Sequence, residues 1–257
     1  MSRIREWLDA SPIADLAITF MREATGRADP IAPLHPTRPA ALAAGRRIAF
    51  WSLVGGVGTS TTAGLVAHRS AAGGRAPLLV DLDRWAPSLA LRARIEAATI
   101  ADALVQPGRE RALVSRWSDV LFLPGSPTLR GRLDVDRAIE VIDAIGGGAP
   151  VVLDLGTGAD SLDAGLLSRT DRLCIVAGAR ASQLQAIFCA LALVRDVPCL
   201  AGLVVIGAAD EDAALIAERA GLPLLGAIPA DAYLAEDQFA TRAPTLRAID
   251  ALIRRIE

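Results

Sequence analysis

Residues Arg47-Ile48-Ala49-Phe50-Trp51-Ser52-Leu53 run straight into Val54-Gly55-Gly56-Val57-Gly58-Thr59-Ser60-Thr61, and a helical pattern follows. A strand, a glycine loop and a helix in that order place backbone N–H groups around an anion at the helix N-terminus. Gly55, Gly56 and Gly58 allow the positive φ values such a loop needs. Val57, Thr59 and Thr61 complete the candidate phosphate-binding stretch, and Ser60 stands where a hydroxyl can hold Mg²⁺ or a phosphate oxygen. The loop contains no lysine. All 27 basic residues of the chain are arginine, so no lysine is available to reach a phosphate, form a Schiff base or act as a general base.

Two further segments bring acids to the same place. The next apolar run ends Leu79-Val80-Asp81-Leu82-Asp83, and a later one reads Val151-Val152-Leu153-Asp154-Leu155-Gly156-Thr157-Gly158. Acids at strand ends can hold Mg²⁺ through water or orient an attacking water. Ser60, Asp81 and Asp154 are the candidate metal residues, and Asp83 and Asp154 the candidate catalytic ones. A single strand-end aspartate is as readily a backbone cap; three around one glycine loop favour a shared site.

Outward from the loop, short apolar runs alternate with helical stretches. Strands are expected over 47–53, 77–82, 119–123, 150–155, 172–177, 201–206 and 224–228. Helices are expected over 60–72, 87–94, 99–105, 134–145, 161–168, 182–195, 210–220 and 244–256. Continuous Val/Ile/Leu strands alternating with helices predict a doubly wound, mostly parallel α/β sheet with helices on both faces. Ligands of such sheets bind at the carboxyl ends of the strands, where the motifs fall.

Before the loop the pattern changes. Ser11-Pro12 supplies a cap and a first-turn proline, and Ile13, Leu16, Ala17, Phe20, Met21 and Ala24 follow helical spacing up to Gly26. An amphipathic helical segment is expected over 1–26, packing on the domain or docking a partner. Pro30, Pro33, Pro36 and Pro39 predict an extended linker over 27–45. The nucleotide-binding domain is expected over 46–257.

An apolar fraction of 52% fills a sizeable core, and a net charge of −2 makes no electrostatic case for nucleic acid or an anionic membrane. Cys174, Cys189 and Cys199 lie in apolar runs without metal-knuckle spacing and are expected to be buried hydrophobes. His35 and His68 are far apart in sequence, with no obvious third ligand. No apolar run reaches about 18 residues and the N-terminus lacks a signal-peptide pattern, so a cytoplasmic protein without direct membrane insertion is expected.

Taken together, Gly55-Gly56-Val57-Gly58-x-Ser60-Thr61 resembles the deviant Walker A loop of the MinD/ParA ATPases. Asp81-x-Asp83 is similar to their second acidic motif, Val152-Leu153-Asp154 to their Walker B strand, and Gly226-Ala227-Ile228-Pro229-x-Asp231 to the late loop beside the nucleotide base. Within that superfamily the loop is closest to the TadZ/CpaE branch, which positions pilus and secretion machinery. The resemblance implies ATP or ADP with Mg as cofactor, Pro229 and Asp231 as further nucleotide contacts, and a face-to-face homodimer. It also implies a protein partner in a membrane-associated assembly, with recruitment to the membrane or cell pole. The departures bear on activity. The family carries lysines where this chain has Val54 and Thr59, and an adenine-reading asparagine near Ile206 or Gly207. Loss of both lysines predicts weak or absent hydrolysis, with Arg46, Arg47, Arg84 and Arg180 as candidate substitutes.

Three readings follow: a nucleotide-binding or nucleotide-free positioning scaffold, a slow ATPase with a switched dimer, and a dinucleotide-binding protein. The third rests on Gly56-x-Gly58-x-x-Thr61 with Asp81 as a ribose-binding carboxylate. The scaffold reading predicts constitutive dimerisation through apolar surface. An iron–sulfur reductase on the same fold would need cysteines in a bridging loop after the phosphate-loop helix, where none stands.

Overall fold

A computed structural model describes residues 38–129, 133–235 and 241–257. The expected helix over 1–26 and most of the expected linker lie outside the described residues.

Eight strands form one sheet: β1 (Arg47–Ser52), β2 (Leu78–Asp81), β3 (Ser115–Trp117), β4 (Val120–Leu123), β5 (Val151–Thr157), β6 (Arg172–Gly178), β7 (Leu200–Ile206) and β8 (Leu224–Ile228). Their order across the sheet is β3-β4-β2-β5-β1-β6-β7-β8, parallel throughout except for the β3–β4 pair. The helices, in chain order, are α1 (Thr59–Ala72), α2 (Leu89–Ala93), α3 (Ile100–Leu104), α4 (Glu110–Leu113), α5 (Val135–Gly146), α6 (Ala164–Leu167), α7 (Ala181–Val194), α8 (Asp210–Ala220), α9 (Ala232–Ala235) and α10 (Ala243–Ile256).

Period-two alternation along buried strands splits the core in two. Ile48 and Phe50 of β1 face a layer holding Ala63, Val66 and Ala67 of α1 with Ile249, Leu252 and Ile253 of α10. Ala49 and Trp51 face the opposite layer, with Val141 and Ile142 of α5, Leu184 and Ile187 of α7, and Ala213 and Ile216 of α8. Every one of these side chains is buried.

All seven expected strands form, within one or two residues of the expected bounds. The expected helix over 161–168 is instead a 3-10 turn, Ala159–Ser161, followed by the short α6. Asp163 breaks it by accepting the N–H groups of Gly165 and Leu166, which starts a new helix. Three short elements, β3, α4 and α9, have no counterpart in the sequence reading. Ser115-Arg116-Trp117 lacks an apolar run, and pairing with β4 makes it a strand. Trp117 then packs on Phe122 and stands edge-on to His68, 4.5 Å between ring centres.

Residues at the end of the expected linker are fastened to the domain. Leu42 is buried and its N–H donates to Ser70 Oγ, while Ala40 N–H donates to Asp250 Oδ1 at 2.9 Å. Asp250 of α10 also accepts both arms of Arg69 from α1, at 2.8 and 2.7 Å. One carboxylate thus joins the two helices of this layer to the incoming chain.

Strand order decides against the dinucleotide reading. In that fold the strand after the glycine loop's helix pairs with the loop's own strand. Here β5 lies between β1 and β2, so Asp81 is set beside Asp154 rather than beside the loop strand.

Candidate functional site: a glycine loop facing three carboxylates

The loop leaves the carboxyl end of β1 and turns at Gly56 (φ 75°) and Gly58 (φ 98°) into α1. Gly58 occupies the N-cap position without a side chain to cap the helix. Helical bonding starts with Thr62 N–H to Gly58 O, at 2.8 Å, and Thr62 Oγ1 donates to the same oxygen. Among the described residues, the N–H groups of Gly55 to Thr61 find no backbone acceptor. Helix-terminal donors of this kind are completed by water or an anionic ligand.

Thr59 points the other way. It is 4% exposed, its hydroxyl donates to Ser52 Oγ at 2.8 Å, and Ser52 donates onward to Val54 O at 3.0 Å. The side chain at this position therefore braces the loop from behind and offers no charge to its front. Val54 is exposed.

The acids converge from two neighbouring strands. Asp81 and Asp154 are register partners across β2 and β5, both essentially without solvent contact. Asp154 Oδ1 accepts Gly156 N–H at 3.1 Å, whereas Oδ2 is buried with no hydrogen-bond partner. Burial pushes the Asp154 carboxyl up to about 6 against the pull of the Ser60 hydroxyl and Gly156 N–H; the charge of Asp83 adds to the rise and that of Arg92 opposes it. An unpartnered carboxylate oxygen on a residue that also meets a loop serine is a donor set compatible with a hydrated Mg²⁺.

Asp81, the third metal candidate, is also tied to backbone. Its Oδ1 accepts Asp83 N–H at 3.1 Å and its Oδ2 accepts Leu89 N–H at 3.3 Å. Burial, followed by the charge of Asp154, raises its pKa well above the usual carboxylate value. Asp81 is the post from which the segment after β2 hangs. Gly125 lies flat against it; a Cβ there would stand 2.9 Å from Asp81 Cγ.

Asp83 accepts the N–H groups of Trp85 (2.8 Å) and Ala86 (3.0 Å) through Oδ1, which curls the chain out of β2. Its other oxygen lies over Gly156 (φ 65°), where a Cβ would approach within 2.3 Å. The Asp83 carboxylate thus packs over the glycine two residues beyond Asp154, and its charge acts on the Asp154 carboxyl.

No protein-family model matches the sequence, and no curated protein does. Solved structures do match. A ParA family ATPase from Chlorobium tepidum TLS superimposes with a TM-score of 0.68 at 19% identity, covering 81% of this chain and 99% of that one. MinD from Pyrococcus horikoshii OT3, complexed with Mg-ADP, gives a TM-score of 0.62 at 18% identity, covering 82% and 96%. A plasmid partition protein from Borrelia burgdorferi B31 bound to AMPPNP gives 0.66 at 15%, covering 82% and 97%. The fold is that of the ParA/MinD ATPases.

Within this fold the end of β7 sits next to the glycine loop. Ile206, at the end of β7, comes close enough that a Cβ on Gly58 would lie 3.2 Å from its Cδ1. An apolar wall thus stands where an adenine-reading amide was sought. Pro229 follows β8, the neighbour of β7, and Asp231 follows it. Asp231 Oδ2 accepts Arg242 N–H at 3.0 Å and Thr245 Oγ1 at 2.8 Å, so it also serves α10 as a remote N-cap.

Two of the arginines considered as lysine substitutes are in the wrong place. Arg46 pairs with Asp171 and Arg47 with Asp143 around the start of β1, the end of the strand away from the loop. Five residue steps of strand put them about 16 Å from it. Arg180 caps α7 and is exposed, and Arg84 is half-buried beside Asp83. The arginine that does touch the loop is Arg92 of α2, whose Nη1 donates to Thr61 Oγ1 at 2.6 Å. Nothing in the sequence marks it, because 31 residues separate the two.

Of the cysteines, Cys174 is buried as expected. Cys189 is exposed and Cys199 half-buried, since α7 turns one to solvent and β7 starts near the surface. Among the described residues no helix is long and apolar enough to cross a membrane.

Proposed function

We propose that this chain is a degenerate ParA/MinD-like nucleotide-binding protein that works as a positioning or assembly scaffold and hydrolyses ATP weakly or not at all. The observation that carries the reading is the split character of the loop. Its backbone N–H groups, Ser60 and the open oxygen of Asp154 are in place for phosphate and Mg²⁺. The lysine positions are Val54 and Thr59, and Thr59 spends its hydroxyl on Ser52. Ser60 and, through water, Asp154 would hold Mg²⁺, which would supply neutralisation of phosphate charge. Pro229 and Asp231 then border the base.

The relatives crystallised with Mg-ADP and AMPPNP make ATP or ADP the cofactor to test. Charge development during phosphoryl transfer is what a loop lysine offsets, so binding survives its loss better than turnover does. The loop form supports a place in the TadZ/CpaE branch, in which the partner is a component of a pilus or secretion assembly. A cytoplasmic homodimer recruited to the membrane or pole by that partner follows. Trp85 (67% exposed) and Leu91 (80% exposed) lie on the segment after β2 and provide apolar surface for a dimer that does not depend on nucleotide.

Calorimetry with ATP and ADP in Mg²⁺, beside a phosphate-release assay, tests the reading. Binding with turnover at background supports it. A slow ATPase is the second reading, favoured by the preserved Asp83–Asp154 pair. Turnover above background that disappears in Asp83→Ala or Asp154→Ala establishes that reading and removes the scaffold one.

A further inference from the structure

We propose that Arg92 supplies, from α2 of the same chain, the phosphate-facing cation that the glycine loop lacks. The inference rests on phosphate binding at Gly55–Thr61 and names the residue that makes it electrostatically possible.

Without such a cation the site is hostile to a nucleotide. Asp81, Asp83 and Asp154 are all buried at the sheet edge that the loop faces. A di- or triphosphate adds several negative charges there, and the chain contains no lysine. Mg²⁺ and backbone N–H groups neutralise part of that charge; a side-chain cation is the missing component.

Arg92 is positioned by the acids themselves. Asp81 Oδ2 receives the N–H of Leu89, the first residue of α2, and the next turn of that helix carries Arg92. Arg92 N–H closes the turn onto Ser88 O at 3.1 Å. The half-buried side chain then crosses to α1 and donates Nη1 to Thr61 Oγ1 at 2.6 Å. Thr61 follows Ser60 directly, in the first turn of α1 where N–H groups remain without backbone acceptors. A guanidinium presents its donors in a planar fork, the geometry that recognises phosphate oxygens.

The sequence position differs from that of a loop lysine in a way that matters. A lysine at Thr59 would approach from within the loop, whereas Arg92 comes from a separate helix at its side. The arrangement suits holding phosphates more than following charge as a bond breaks, in keeping with binding that outlasts turnover.

The test is binding of fluorescently labelled ADP with Mg²⁺ to the full chain, with adenosine as the phosphate-free competitor and thermal melts as the fold control. Arg92→Gln, which keeps a polar amide but has no charge, should weaken ADP binding about 10- to 100-fold, the range for a charge-assisted bond. Adenosine competition should be unchanged, and Arg92→Lys should recover most of the loss. Wild-type binding with an unaffected Arg92→Gln overturns the role of Arg92 and leaves phosphate binding intact. Equal loss in Gln and Lys variants with lowered melting points also overturns it, assigning Arg92 to a latch between α2 and α1. No ADP binding by the wild type, or binding no tighter than adenosine, overturns the phosphate reading and this inference together.

Discussion

Thr59 Oγ1 donates to Ser52 Oγ, and the 2.8 Å bond closes the base of the phosphate loop onto the strand that feeds it. Ser52 passes the bond to Val54 O. A neutral hydroxyl relay thus occupies the place from which a loop lysine would project.

Both hydroxyls are buried; removing that of Ser52 strands Thr59, and removing that of Thr59 takes from Ser52 the bond it accepts while its bond to Val54 O remains. Thr59→Val should lower stability by about 1–2 kcal/mol, and Ser52→Ala by a similar amount, read as a shift in urea midpoint at constant slope. The double variant Ser52→Ala/Thr59→Val should cost less than the sum, because no stranded hydroxyl remains. Additive losses would show that the relay is not a unit.

Gly156 is where the two acidic segments meet. Its φ of 65° disfavours any side chain, and a Cβ would fall 2.2 Å from Asp83 Cγ. Gly156→Ala should destabilise the fold by about 2–4 kcal/mol, from left-handed strain and displacement of a packed carboxylate. Displaced Asp83 should also release the turn at Trp85, visible as a change in tryptophan fluorescence. A variant with wild-type stability and emission would refute the close packing of these strands.

Arg69 and Asp250 form a two-armed pair between α1 and α10, with the Asp250 side chain fully buried. Removing one partner leaves the other charge uncompensated, so Asp250→Ala should cost about 3–5 kcal/mol. Burial alone would raise the Asp250 pKa. Hydrogen bonds from Arg69 and Ala40 N–H, with the charges of Arg69 and Arg254, outweigh it and hold the value below the usual 3.8. A carboxyl depressed in the folded state binds fewer protons than in the unfolded chain. Its stabilisation is complete above the unfolded value near 4 and is lost as pH falls through the lower folded one. Acid titration of the melting temperature should fall less steeply below pH 4 in Asp250→Asn than in wild type. Parallel curves would remove Asp250 as a source of acid lability.

Much of the architecture was legible in the residues. Seven strands are continuous apolar runs, because a sheet covered on both faces needs them. The glycine loop is legible because only glycine takes the φ values at Gly56 and Gly58 without strain. β3 and α4 were not, since neither carries a hydrophobic period; their partners in space make them what they are. Asp81 illustrates the same limit at the site. Read along the chain it is a metal candidate, and only the fold shows that its oxygens accept the Leu89 and Asp83 N–H groups. The linker end behaves likewise: proline spacing predicts extension, and the pocket for Leu42 exists only once α1 is folded.

By itself, then, the sequence determined the loop, the absence of lysine and the parallel α/β class, which follow from residue type and near-neighbour spacing. Strand order, the backward turn of Thr59 and the arrival of Arg92 at Thr61 were decided by tertiary structure. Each depends on groups far apart in the chain that meet only when the helices close on the sheet, and no local preference encodes such a meeting.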